Sequence, residues 1–408
     1  MLRSMDDAVS GLQAQQQWLD VIGNNIANVS TTGYKSQNLN FAQMFAQTVN
    51  GGTAPTAATG GINPQQVGLG VTVGSESTNE AQGTLQTTGN PTDLALQGNG
   101  YFVLHSAGQG TLYTRVGTFG FDANGNLVSQ ANGDQVQGWM ANALGQLPVQ
   151  NTANMSGITI PQTSTLPPQA TTQATLVGNL NPATSTTASV QVPLTVYDSL
   201  GNPITIDINL QRTSANNWTW TASGPDGAAG TGAFDFSSTG AFKGVTTAGQ
   251  ITLTPTDGSA AMTIAPDFSG STQYGGTTTL TPQSQNGYPA ATLQSLSVGA
   301  SGKVTGTFSN GHTMTLAQVA VATFPNPEGL LQTGQGMYQA ANNSGLPTVG
   351  IAGTGGAGTI ASRSLEGSNV NLARQFTNMI SAERGFQANA QVVTVANTVL
   401  QTLVQLGQ

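Results

Sequence analysis

The chain has 408 residues, and charged residues make up only 6% of them, against about a quarter in an average soluble domain. The net charge of -8 and the scatter of the nine basic residues exclude a nucleic-acid partner bound through its phosphates, which needs clustered Lys and Arg. The absence of cysteine excludes disulfide bonds, thiolate catalysis and Cys-based zinc sites.

The first predicted element is an amphipathic helix over residues 1–29. Steps of three and four residues, interrupted at Gln16 and Gly23, give one apolar row. This row consists of Leu2, Met5, Val9, Leu12, Leu19 and Ile26. Aspartates lie inside the segment and the chain has no long apolar run. We therefore expect neither secretion by the general route nor insertion into a membrane.

The long middle of the chain has the pattern of β structure. Residues 38–48 predict a weak helix or an extended piece, and the Gly, Thr, Ala and Pro of residues 50–66 predict a linker. From residue 68 to residue 324, short apolar runs of period two alternate with Gly, Asn, Asp and Pro turns, which predicts strands. The glycines of residues 350–358 predict a hinge before the last helix.

The last predicted element is a helix over residues 368–406 with a coiled-coil type of apolar row. A seven-residue repeat, widened on the next turn by Phe376, sets this row. The repeat consists of Leu372, Met379, Phe386, Val393 and Leu400. Either terminal helix alone would leave its apolar face in water, so we expect the two to pack on each other and on copies from neighbouring subunits. A simple intramolecular helix pair that caps a β domain is the alternative.

These elements predict an α+β, mainly β fold. Terminal α-helices pair as a coiled coil and are followed outward by two nested, mainly β domains. Residues 1–70 with 358–408 form the terminal helical domain and a linker, and residues 71–146 with 284–357 form the first β domain. Residues 147–283 form an inserted outer β domain. The order is nested because the chain passes through each preceding domain both on its way to the next domain and on its way back.

Few residues have the pattern of a catalytic or cofactor site. His105 and His312 have no motif partner at a fixed spacing, which favours structural histidines. Residues 353–358 match G-x-G-x-x-G by letters, but no helix follows them directly and no β-α-β unit surrounds them. A flexible hinge is therefore favoured over a dinucleotide site.

A calcium loop is also disfavoured. Asp122, Asn124 and Asn126 resemble the start of such a loop, yet Leu127 stands where the loop needs glycine. A hairpin turn explains the same residues. We expect no catalytic, cofactor or metal site, and an enzyme is the weakest of the functional hypotheses.

The run at residues 23–35 is the most specific motif of the chain. Its three asparagines oppose helix propensity, so they either end the helix or bond the backbone of a neighbouring chain. Its signature residues are Asn24, Asn25, Asn28, Thr32, Gly33, Tyr34 and Lys35. Together with residues 98–104, 113–122, 324–330 and 383–389, this run resembles the bacterial flagellar axial proteins, the rod and hook family. The resemblance covers both ends of the chain and both halves of the first β domain.

The resemblance implies a structural subunit of a helical tube outside the cell. Within the family, the inserted domain favours the hook, a flexible universal joint that passes motor torque from rod to filament, over the distal rod. The implied partners are further copies of the chain, the type III export apparatus, the distal rod protein, the hook cap and the hook-filament junction proteins. A secreted, β-rich adhesin is the alternative from another functional class.

Overall fold

The computed structural model describes residues 2–56 and 59–406, with the side chains of Leu2 and Leu406 outside the described part. Helix α1 spans Leu2–Ala27 and helix α2 spans Leu372–Leu406. Short 3-10 helices span Thr152–Asn154 and Pro327–Gly329. Among the described residues, thirty strands make up the remaining regular structure. The fold class predicted from the sequence is confirmed.

The strands are numbered in chain order. Strands β1 to β12 are Gln37–Gln43, Ala46–Asn50, Gln65–Gly68, Val71–Thr78, Leu85–Thr87, Leu94–Gln97, Tyr101–Ser106, Gly110–Thr114, Phe119–Phe121, Leu127–Ser129, Gln135–Met140 and Ser156–Gly157. Strands β13 to β22 are Thr165–Leu166, Gln173–Asn179, Ser189–Tyr197, Pro203–Ser214, Asn217–Ser223, Ala229–Phe236, Phe242–Thr247, Ile251–Leu253, Met262–Thr272 and Thr281–Gln285. Strands β23 to β30 are Ala291–Val298, Lys303–Phe308, Thr313–Thr323, Leu331–Gly334, Met337–Gln339, Thr348–Ile351, Thr359–Ser362 and Ser364–Glu366.

The chain divides into two compact units. Unit 1 comprises Met1–Pro161, Leu296–Thr305 and Met314–Gln408, and unit 2 comprises Gln162–Ser295 and Gly306–Thr313. The finer division into three domains stays a prediction.

Unit 1 combines the two helices with a sheet in the order β25-β11-β7-β8-β27-β26. Aromatic side chains from different strands fill its core, where the ring of Tyr101 lies edge-on to Phe324 at 5.9 Å and to Tyr338 at 5.4 Å. Outgoing and returning chain segments pair with each other, β5 with β30 and β6 with β29. This pairing places the segment that leads into α2 beside the segment that follows β4.

Unit 2 is built on one sheet in the order β15-β16-β17-β18-β20-β21-β14-β22, with β19 paired to β18. Burial alternates along β16, where the side chains of Ile204, Ile206 and Ile208 face the core and their neighbours do not. This is the period-two pattern of a half-buried strand. The Phe234 and Phe268 rings stack in the core at 4.6 Å.

Two local predictions were wrong. Residues 50–66 were expected as a linker, but β2 pairs with β3 and Thr53 pairs with Ile62, so the segment belongs to a hairpin. Antiparallel pairing satisfies the backbone of this polar segment whatever its side chains are. The glycines of residues 350–358 do not lead directly into the last helix either, because β29 and β30 intervene.

Candidate functional site

The two terminal helices pack against each other, and their contacts run in opposite directions along the two chains, so the pair is antiparallel. Gly11 lies against the side chain of Asn389, and Gly385 lies against the side chain of Gln15. A Cβ at Gly11 would stand 2.6 Å from the Asn389 amide nitrogen, so glycine permits this close approach. Ala382 is fully buried in the same row. Small and amide side chains therefore form the closest approach between the helices.

A β ribbon runs back along α1 beside the contact with α2; it is formed by β1 with β4 and is continued by β2 with β3. The Asn25 side chain donates to the Gln37 carbonyl oxygen at 2.8 Å, and the Trp18 ring meets the Phe41 ring edge-on at 5.7 Å. Farther along, the Val71 N–H donates to the Ser10 hydroxyl, and Arg3 donates to the Gln47 side chain.

Helix and ribbon match in length. At 1.5 Å per residue the helix from Arg3 to Asn25 spans about 33 Å, and at 3.3 Å per residue the strand path from Gln37 to Gln47 also spans about 33 Å. The residues after Gln47 therefore extend beyond the helix start. Phe45, near that end of the ribbon, is 90% exposed.

Most residues of the predicted apolar rows lie on one side of the helix pair. At 3.6 residues per turn, they lie to the same side of the contact between α1 and α2, from about a sixth of a turn for Phe386 to about 0.4 of a turn for Phe376 and Val9. We call this set the Phe face; it consists of Met5, Val9, Leu12, Leu19, Leu372, Phe376, Met379 and Phe386. Phe376 is 51% exposed, and Val9, Leu372 and Phe386 are also exposed. Ile26, Val393 and Leu400 instead point toward the partner helix and are half-buried, and the side chain of Leu2 lies outside the described part.

Helix α2 carries a second apolar row, which the seven-residue repeat of the sequence does not predict. We call it the Val face; it consists of Val392, Val395, Val399 and Leu403, all exposed. With Ser4 and Ala388, its valines line a groove of about 420 Å³. Its signal in the sequence is steps of three and four residues, which the stronger seven-residue repeat conceals.

The signature run folds back on its own chain. The Asn25 side chain is buried, its amide oxygen accepts from the Gln37 N–H at 2.9 Å, and the Tyr34 hydroxyl donates to the same oxygen at 3.1 Å. Asn28 donates to the Asn24 side-chain oxygen at 2.9 Å. Of the two roles considered for these asparagines, Asn25 thus bonds the backbone of its own chain, not that of a neighbour.

Thr32 and Gly33 turn the chain toward the return strand. Gly33 has a φ of 69°, a left-handed conformation that favours glycine, and its N–H donates to the Glu366 carbonyl oxygen at 2.7 Å. Thr32 lines a cavity of about 490 Å³ together with Tyr34 and Tyr338. The turn thereby places Lys35 beside the strand that precedes α2.

A buried ionic cluster follows the signature run. The Lys35 ammonium lies 2.7 Å from one Glu366 carboxylate oxygen, and the Arg115 guanidinium lies 3.4 Å from the other. All three side chains are at least 97% buried. Lys35 also donates to the Ala81 carbonyl oxygen at 3.0 Å, and the Gly83 N–H donates to Glu366 at 3.0 Å. This cluster joins residues that are 331 positions apart in the chain.

Tyrosines beside this cluster should make unit 1 sensitive to alkaline pH. Burial, and then the Glu80 charge, raises the pKa of Tyr338 to about 12 and also raises the pKa of Tyr101. In the unfolded chain both titrate near about 10. The folded state thus holds these protons longer, and stability that is complete below about pH 10 is lost as pH rises toward about 12.

The measurement is denaturant unfolding of unit 1 between pH 9 and pH 12, compared with Tyr338→Phe. The variant should lose less stability over this range, by up to about 2–3 kcal/mol. Burial lowers the pKa of Lys35, which gives the opposite sign, but Lys35 is common to both proteins. Identical pH profiles would contradict the assignment.

The candidate chemical motifs form turns. The Asp122 carboxylate accepts from the Asn124 and Asn126 N–H groups at 2.8 and 2.7 Å, and Gly125 has a φ of 82°. No cluster of three or more His, Cys, Asp or Glu side chains suited to a metal occurs among the described residues. The His312 ring stacks on Tyr288 at 4.5 Å. Neither described helix combines the length and apolarity that a membrane span requires.

Four family models match the chain. They are the flagella basal body rod protein at residues 5–35, the D1 domain of flagellar hook protein FlgE/F/G at 95–177, the D2 domain of flagellar basal body protein FlaE at 163–288, and the C-terminal part of flagellar basal body rod FlgEFG proteins at 361–406. All four models describe flagellar basal body rod or hook proteins, which makes the chain a flagellar axial protein of the rod and hook class.

Individual relatives narrow this class. The chain is 35% identical to the flagellar hook protein FlgE of Treponema pallidum and 34% identical to that of Borreliella burgdorferi, with both alignments covering 100% of each chain. The crystal structure of Helicobacter pylori flagellar hook protein FlgE2 shares the fold, with a TM-score of 0.54 and 17% identity over 69% of this chain and 100% of that one. The chain belongs to the flagellar hook protein FlgE family.

Proposed function

We propose that this chain is the structural subunit of the flagellar hook and that its copies hold each other through the terminal helix pair. The observation that carries the proposal is the Phe face. Its phenylalanines remain exposed although α1 and α2 already pack on each other through Gly11, Asn389 and their neighbours. The intramolecular pair is therefore complete and leaves an apolar side in water.

Burial of that side favours assembly. Each Å² of apolar surface removed from water contributes about 25 cal/mol, and a row of large apolar side chains on one helical surface typically marks an interaction site. In a tube of many copies, each helix pair covers its neighbour. The predicted row residues Ile26, Val393 and Leu400 instead stabilise the pair within one copy.

We assign separate tasks to the three predicted domains. Residues 1–70 with 358–408 form the inner tube, residues 71–146 with 284–357 the first β layer, and residues 147–283 the outer layer. The low charge of the chain supports this division, because polar uncharged surfaces make weak, exchangeable contacts in place of fixed ion pairs. If the outer layers of neighbouring copies slide past each other while the inner helices stay in contact, the tube can bend and still transmit torque.

Family membership supports the remaining parts of the proposal. The chain is exported by the type III apparatus and assembles between the distal rod protein and the hook-filament junction proteins, beneath the hook cap. Its role is structural and not catalytic. It works outside the cell, in the hook of the basal body.

Antibody labelling of purified flagellar basal bodies tests the placement. An antibody against residues 163–288 should mark the short curved segment between rod and filament in electron micrographs. Basal bodies from a strain without the gene provide the control. Label confined to the straight shaft would instead assign the chain to the distal rod, and absence of label from the entire structure would refute the proposal.

A further inference from the structure

Unit 2 carries a polar cleft of about 730 Å³. Its walls are residues 285–289 and 310–312, together with Gln169 and Tyr197, and all of them belong to unit 2. The lining contains no carboxylate, ammonium or guanidinium group, and its one histidine is neutral at pH 7. The cleft therefore has no formal charge with which to hold an ion, and it selects a ligand by shape, stacking and hydrogen bonds.

Hydrogen bonds between the wall segments fix the shape of this cleft. Gln169 and Tyr288 exchange both of their backbone hydrogen bonds, each at 3.0 Å. The Asn310 side chain donates to the Pro289 carbonyl oxygen at 3.2 Å, which ties the two wall loops together. The Asn286 side-chain oxygen accepts from two backbone N–H groups of the adjacent segment at 2.9 and 3.0 Å. The walls are thus built before any ligand arrives, as in most small-molecule sites.

Aromatic rings supply a flat surface inside the cleft. The rings of Tyr288 and His312 stack with their centroids 4.5 Å apart and their planes 28° from parallel. Both line the cleft, and His312 is exposed, so the stack is open to solvent. Tyr197 adds a third ring. An aromatic ring offers a large apolar surface, and the C–H groups on one side of a sugar ring form an apolar face that packs on such a surface.

The cleft also has hydrogen-bonding groups that are still free. The Gln285 side-chain oxygen already accepts from the Gly287 N–H at 2.5 Å, but the amide nitrogen of Gln285 donates to no group in the described part of the chain. Within the same residues, the hydroxyls of Tyr197 and Tyr288 and the ring nitrogens of His312 have no hydrogen-bond partner either. Hydroxyls and a neutral imidazole both donate and accept. The hydroxyls of a sugar have the same double capacity, so the two sets are complementary.

We propose that this cleft of unit 2 binds a neutral saccharide. The sugar ring packs on the Tyr288–His312 stack, and its hydroxyl groups bond the Tyr197 hydroxyl and the Gln285 amide. A neutral, polyhydroxylated ligand matches a preformed lining of rings, donors and acceptors without formal charge. This activity is additional to the structural role, because it involves residues of one copy only and needs no assembly.

Titration of the purified full-length chain with trisaccharides, followed by saturation-transfer NMR, tests the proposal. The probes are chitotriose, which carries acetamido groups, and maltotriose, which carries only hydroxyls; their comparison identifies the preferred class of neutral sugar. At least one of them should bind saturably with a Kd of about 1 mM or lower. Trigalacturonate, an anionic sugar of similar size, should not bind, because no cation lines the cleft.

Two variants of the cleft locate the binding. His312→Ala removes one ring of the stack at an exposed position and should weaken binding about tenfold. Tyr197→Phe removes a single hydroxyl, keeps the ring and should weaken binding about fivefold. Tyr274→Ala is the matched control, since this tyrosine is 52% exposed in the same unit but lies outside the cleft lining. Its affinity should equal that of the parent.

Three results would overturn the proposal. They are the absence of saturable binding by both neutral sugars, equal affinity of the parent and both cleft variants, and binding of trigalacturonate as tight as that of the neutral sugars. Circular dichroism of each variant verifies that its fold is that of the parent. Because Tyr197→Phe changes one atom group only, it keeps the test decisive if His312→Ala alters the wall.

Discussion

Phe386→Asp should abolish hook assembly while both compact units remain folded. The substitution places a carboxylate on the Phe face, where assembly would remove it from water without a partner. Such burial costs several kcal/mol. A loss of about 3 kcal/mol per contact corresponds to a more than hundredfold rise in the concentration needed for assembly. Because Phe386 is exposed within one chain, the fold itself should tolerate the change.

The measurement is hook length in electron micrographs, together with circular dichroism of the purified chain. Phe386→Leu keeps an apolar side chain and should still assemble. Gln13→Asp adds the same charge to an exposed position that points away from α2 and should also assemble. Hooks of normal length from Phe386→Asp would show that this side of the helix pair remains in water in the assembled tube.

Glu366→Gln should lower the free energy of unfolding of unit 1 by about 3–5 kcal/mol. Its carboxylate is the common partner of Lys35 and Arg115, and the amide would leave two buried cations without their counter-ion. A buried ion pair contributes little net stability as a whole, but removal of one partner leaves the desolvation cost of the other. Because only one partner of the buried cluster is removed, we expect a large loss of the free energy of unfolding.

Asp235→Asn is the matched control. It breaks the Lys243–Asp235 pair, whose atoms lie 2.9 Å apart with the Lys243 side chain 68% exposed, and should cost at most about 1 kcal/mol. Denaturant unfolding of each variant, read on the unit that carries the substitution, gives the comparison. Equal and small losses in both variants would contradict the assignment of a desolvated cluster.

The apolar rows of both helices could be read from the sequence, but the surface they meet could not. Gly11 and Gly385 carry no hydropathy signal, yet they bring the two helices into contact, so Phe376 and Phe386 remain outside. Periodicity identifies the apolar face of a helix, which is expected to be buried. It does not identify the surface that buries this face, because closely packed small residues on another face can form the contact with the partner helix instead.

The ribbon and the ionic cluster show two other limits. Residues 50–66 have the composition of a linker, and only the pairing of β2 with the next strand, β3, makes them part of a hairpin. Lys35 belongs to the signature run, but its partner Glu366 lies 331 residues away. Charges at such separation cannot be paired from one sequence, since only the return of the chain through β30 brings them together.

The contact between α1 and α2 closes a long loop of the chain. Helix α1 ends at Ala27 and helix α2 begins at Leu372, so the described strands of both units lie between the two helices in the sequence. The entropy cost of closing a loop grows only slowly with its length, by about 0.6 kcal/mol for each doubling. Enlargement of the inserted β structure therefore adds little to the cost of bringing the two helices together.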